Sequence, residues 1–171
     1  LLTVENPAMT DILYGIAAEH PTLTDRALMR YADLVSQSVV TPIRRYQLYR
    51  QALALRPSAA VQAKLLGYLS GVYALPALML AAEYLDDAQT AAPAAAAVKT
   101  IVAKCNPMPG GEAVRKALER AHEVYKELAK SDADAGYAVD EITGLLGKIP
   151  ADGFAVLPAD GLAGWTAVAV N

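Results

Sequence analysis

The feature that most constrains this chain is a succession of short amphipathic segments, each ended by Pro or Gly, running through residues 7–149. The clearest stretch, Arg56–Cys105, reads as helix, turn, helix, turn, helix. A single helix of this kind has no place to bury its apolar stripe, whereas stacked helices share one continuous core. The 171 residues suffice for one ordinary domain. Hydrophobic residues make up 54% of the chain, much of it alanine, which favours helix and lets helices approach closely.

Pro and Gly set the boundaries. Asn6–Pro7 opens a helix reaching about Ala18, with Met9, Ile12, Leu13 and Ile16 apolar, and His20–Pro21 breaks it. Thr24 is the expected N-cap of the next helix, whose face is Leu28, Tyr31, Leu34 and Val35, with Arg26, Arg30, Asp33 and Gln37 largely away from it. Thr41–Pro42 opens a third helix with Ile43, Tyr46, Tyr49 and Leu53 as its stripe, stopped by Arg56–Pro57. Ser58 caps a fourth, lined by Val61, Leu65, Leu69 and Val72. The fifth carries Leu75, Leu78, Ala81, Ala82 and Leu85, and Asp86–Asp87 closes it and caps the sixth, lined by Ala94, Val98, Ile101 and Val102. Asn106–Gly111 is the strongest internal break. Beyond it, Val114, Leu118, Ala121, Tyr125 and Leu128 form a sustained stripe opposite a charged face, and a shorter helix is expected over Ala138–Lys148, using Val139, Ile142, Leu145, Leu146 and Ile149.

Leu65–Ala82 contains no charged residue and a Gly67/Gly71 spacing, which raises the question of a membrane span. Gly71, Pro76, Ser70 and the hydroxyls of Tyr68 and Tyr73 favour two buried helices meeting at a turn. No membrane span is expected.

The unit Ser58–Cys105, with KLLGYLSGV, then LPALMLAAEYLDD, then AAAAVKTIVAK, resembles the HEAT-like α-solenoid family. The likeness is close over that unit and loose over the rest of the helical region. It implies an all-α, HEAT-like antiparallel helical-repeat superhelix over residues 5–149, of about eight helices, used for binding or spacing. Residues 150–171 read as a non-helical tail, in which Ala167–Val170 suit a strand.

In that tail, Gly153, Phe154, Leu157, Leu162, Gly164 and Trp165 resemble the opening segment of the 3-keto-disaccharide hydrolase family. Pro158 stands where that family's second aromatic usually falls, and the spacing to Gly164–Trp165 is one residue short. The resemblance implies that the helical region is the N-terminal module of a larger, secreted or periplasmic, bacterial glycan-processing protein. Its first partner would be a β-sandwich domain of the same chain. No catalytic residue is carried over, because the matched segment precedes that family's site.

Other chemistry is sparse. Cys105 is the single cysteine, so an internal disulfide and a multi-cysteine zinc site are excluded. His20 precedes a proline, and His122 lacks the second histidine of a helical zinc motif. Glu83, Asp86 and Asp87, and likewise Asp132, Asp134 and Asp140, read as turn and cap residues rather than acid–base pairs or a calcium loop. Gly110–Gly111 before a helix suits an anion, but an interdomain turn is favoured over a phosphate loop. No cofactor or metal is called for. With a net charge of −3, a nucleic-acid partner is not expected. Arg44, Arg45, Arg50 and Arg56, interleaved with Tyr46 and Tyr49, are the candidate surface-recognition residues for a protein or glycan, although the tyrosines sit on the apolar stripe. The expected function is a noncatalytic interaction or spacer module. The alternatives are a helical-repeat enzyme with its site in a concave groove, or a general protein-binding solenoid.

Overall fold

The computed structural model describes residues 7–150, with side chains from Met9 onward. Its helices are α1 (Pro7–Glu19), α2 (Thr24–Gln37), α3 (Pro42–Ala54), α4 (Ala59–Leu69), α5 (Leu75–Ala82), α6 (Ala91–Lys104), α7 (Glu112–Leu128) and α8 (Asp134–Leu146). No strand occurs among the described residues, and no helix there is long and apolar enough to cross a membrane. The tail expected to carry a strand, and with it the hydrolase-like segment, lies outside the described residues.

Two kinds of packing hold the helices. Sequence neighbours lie against each other along the chain, with α1 on α2, α5 on α6, α6 on α7 and α7 on α8. Helices two apart also touch: α2 with α4, α4 with α6 and α6 with α8 in one row, α3 with α5 and α5 with α7 in the other. Ion pairs follow the same alternation. Lys64 on α4 meets Asp33 on α2 at 2.7 Å, Lys99 on α6 pairs with Glu141 on α8, and Arg120 on α7 meets Asp86, just past α5, at 2.6 Å. Exposed pairs contribute at most about 1 kcal/mol each, so apolar burial dominates.

The buried stripes of the middle helices match their apolar spacing. Val61, Leu65, Leu69 and Val72 are buried, as are Ala94, Val98, Ile101 and Val102, and so are Val114, Leu118 and Ala121. Pro42 and Pro76 stand in the first turns of α3 and α5, where a missing N–H costs no helical bond. Thr41 caps α3, its hydroxyl accepting from Arg44 N–H at 3.3 Å.

Several local expectations change. Met9 and Ile12 are 43% and 55% exposed, because α1 packs on α2 through Leu13, Ile16 and Ala17 instead. Ile43 is 51% exposed; α3 turns Leu48, Tyr49, Ala52 and Leu53 inward. Thr24 does not cap α2. Leu23 holds the N-cap position, and the Thr24 hydroxyl donates to Ala17 O at 2.8 Å, tying α2 to the end of α1. Ser58 occupies the N-cap position of α4 without a side-chain bond; its backbone N–H donates to Asp25 Oδ1 at 3.0 Å. Asp87 likewise does not cap α6. Its carboxylate accepts from Gln89 N–H, its carbonyl accepts from Thr90 and Ala91, and Thr90 holds the N-cap position. Finally, α8 begins at Asp134, four residues before the expected Ala138. The Asp132 carboxylate accepts from Asp134 N–H at 3.0 Å, the Asp132 carbonyl accepts from Ala135, and burial of Ala135 and Ala138 secures the added turn.

The loop Asn106–Gly111 joins two helices packed side by side, so it is a turn within the stack. Gly111 has φ 90°, a conformation that favours glycine, and its N–H donates to Pro150 O at 3.1 Å. A Cβ on Gly110 would stand 2.8 Å from that same Pro150 oxygen. Gly110→Ala must therefore push the two segments apart. It should cost about 1–2 kcal/mol, a fall in thermal midpoint of roughly 2–8 °C. An unchanged midpoint by scanning calorimetry would show that this contact bears no stability.

Candidate recognition surface

The four candidate arginines all stand on α3 or just past it, but the helix does not present them alike. Ile43, Arg44, Gln47, Arg50, Gln51 and Ala54 recur at helical spacing and form its exposed face. Arg44 and Arg50 thus share one solvent face. Arg45 lies on the other side. Its Nη2 donates to Ser38 O at 2.8 Å, closing the α2–α3 corner, while its Nε is buried without a hydrogen-bond partner. Arg56 is exposed beyond the helix end with φ 49°. A non-glycine residue in this left-handed region costs about 1–2 kcal/mol, so an arginine is held where glycine would be easier.

Along the chain, the charge of the α3 region is one-sided. Residues 34–82 contain no Asp or Glu, yet include Arg44, Arg45, Arg50, Arg56 and Lys64. Among the described residues none of these four arginines forms an ion pair; Lys64 alone reaches a carboxylate, that of Asp33. Later in the chain, Lys99, Lys116, Arg120, Lys126 and Lys130 each sit on an Asp or Glu, while Lys104, Arg115 and Lys148 find none among the described residues.

Behind the exposed face lies a tyrosine cluster. Tyr49 is fully buried, as core packing predicts, and Tyr46 is half-buried. Tyr49 stacks on Tyr68 with ring centroids 6.3 Å apart and planes 13° from parallel. The Tyr68 hydroxyl donates to Asp33 Oδ1 at 2.8 Å, and the Lys64 ammonium sits 5.8 Å from the Tyr68 ring centre. The Tyr31 hydroxyl donates to Leu48 O at 3.1 Å, whereas the Tyr49 hydroxyl is buried with no partner. Burial pushes both phenols far above their ordinary range, with the Arg44 charge opposing this at Tyr31 and the Arg45 charge at Tyr49. The hydrogen bonds from Lys64 and Tyr68 hold the Asp33 carboxyl below the usual carboxylate range. Sequence reasoning placed Asp33 on a solvated face and missed this pairing, because its partners lie a helix pair away in the chain. An acid adjoining an acid-free, arginine-bearing stretch is the one sequence signal that could have marked it.

The remaining candidates are dispersed. His20 is exposed. His122 stands 3.1 Å from Thr143 Oγ1, and because that hydroxyl donates to Val139 O, the histidine donates from Nε2. Glu83 and Asp87 are exposed, and Asp86 is held by Arg120. Gly110–Gly111 serve the Pro150 contact, which uses the Gly111 amide that an anion would need. Cys105 is half-buried, and burial raises its thiol above the ordinary value. Among the described residues no three His, Cys, Asp or Glu side chains are grouped to hold a metal ion. No family model, curated protein or solved structure matches the chain.

Tyr31→Phe loses a buried hydrogen bond and should cost about 1 kcal/mol, whereas Tyr49→Phe removes a hydroxyl with no partner and should be neutral or stabilising. Urea denaturation checks both; equal losses would mean that Tyr49 has a partner after all. For Asp33, a depressed folded pKa means stability present above the unfolded carboxylate value and lost as pH falls through the folded one. Asp33→Asn should therefore destabilise by about 0.5–1 kcal/mol near neutrality, with the gap closing in acid. A gap independent of pH would show that the carboxylate charge contributes nothing.

Proposed function

We propose that the chain is a HEAT-like helical-repeat module acting in interaction or spacing rather than in catalysis. The observation that carries this reading is the alternation of contacts: each row is built from helices two apart in sequence, α2–α4–α6–α8 beside α3–α5–α7. Such a pattern propagates by adding pairs and leaves long outer faces available to partners. Arg44 and Arg50 of α3 lie on one such exposed face. The loose division of candidate chemistry supports the same reading, since His20, His122, Asp86 and Cys105 each belong to a separate local contact or turn.

The parent protein, in this proposal, is a secreted bacterial glycan-processing protein, with the helical module preceding a β-sandwich domain of the hydrolase-like family. Its support is the resemblance over Gly153–Trp165. The test is to express the longer gene product with and without residues 1–149 and to assay glycoside cleavage. Retention of the chemical step, with altered targeting or substrate access, is the expected result. Complete loss of cleavage by a folded sandwich would overturn the auxiliary role.

A further inference from the structure

We infer that the outer face of α3, extended by Arg56, docks an acidic polypeptide segment of a partner protein. This rests on the interaction-module reading and names the partner's chemistry. Arg44 and Arg50 project from one exposed helical face, and Arg56 stands exposed past its end. No carboxylate among the described residues pairs with any of them, whereas Lys99, Lys116, Arg120, Lys126 and Lys130 each find one.

The kind of cation narrows the partner. Between residues 26 and 56 every cation is arginine, whereas lysine dominates from residue 99 onward. The planar guanidinium fork matches a carboxylate with two parallel hydrogen bonds and is more weakly hydrated than an ammonium, which makes it the better group for an interface. Arg56 strengthens the case, because a strained backbone position is occupied by a guanidinium rather than by glycine.

The same face carries apolar surface. Ile43 is 51% exposed on α3, and Val39, in the turn leading to it, is 87% exposed. Exposed aliphatic groups beside arginine suit a protein interface, whose centre is apolar and enriched in arginine. Single-stranded nucleic acid instead needs exposed rings for its bases to stack on. Here Tyr49 is buried and Tyr46 half-buried, so α3 presents no exposed aromatic ring. An acidic segment with interspersed aliphatic residues complements both the charge and the apolar component.

The test uses the full chain and a fluorescein-labelled peptide of about 15 residues repeating Glu-Glu-Leu, followed by anisotropy. Saturable binding that weakens with added salt is expected. The double variant Arg44→Glu/Arg50→Glu should bind about tenfold more weakly or worse. A control of equal charge change, Lys116→Glu/Lys130→Glu, should stay within about twofold of the parent. Circular dichroism confirms that each variant keeps its helix content. Absence of binding by the parent chain, an equal loss in the control, or tighter binding of a single-stranded oligonucleotide than of the peptide would each overturn the inference. None of these results bears on the spacer role, which the truncation assay addresses separately.

Discussion

Everything in the stack depends on how closely α6 can be approached. Ala94, Ala95 and Ala97 are wholly buried, and so are Val98, Ile101 and Val102. This one helix touches α4, α5, α7 and α8. Small side chains on several sides of a helix allow near-contact of backbones, and the longer Val and Ile residues fill what remains. Apolar transfer at about 25 cal/mol per Å² favours such burial whatever its direction. What is specific here is that alanine permits four neighbours at once.

The two ends of the row are less constrained. At the α1 end, Met9 and Ile12 face solvent and the helix depends on α2. The Thr24 hydroxyl bond to Ala17 O clips that pair together at its turn. At the other end, α8 is braced by Lys99–Glu141, by His122–Thr143 and by the long Arg115 reach to Leu146 O. These polar contacts fix orientation at the ends, while burial provides most of the stability.

Much of the helix order was legible because Pro and Gly mark ends by mechanisms that act locally. Thr41–Pro42, Pro76 and Asn106–Gly111 fall at boundaries for reasons contained within a few residues. Faces were legible where the stripe was long, as along α7, whose Val114, Leu118 and Ala121 are buried. They were not legible on α3, whose apolar residues are spread around the axis; burial of Leu48 rather than Ile43 depends on where α2, α4 and α5 lie. The same limit governs the arginines. Arg44 and Arg45 are adjacent in sequence, so they point about 100° apart, and only the position of the Ser38 carbonyl decides that Arg45 folds back. The Asp33–Lys64–Tyr68 cluster joins α2 to α4, which local periodicity does not report.

The bond between Gly111 and Pro150 also sets a mechanical path. Load applied to the chain beyond residue 150 first meets a backbone contact with the α6–α7 corner, made between Gly111 N–H and Pro150 O. Ile149, buried just before it, resists peeling from the end of α8. Tension arriving at Pro150 is thereby shared with the α6–α7 corner instead of falling on the last helix alone.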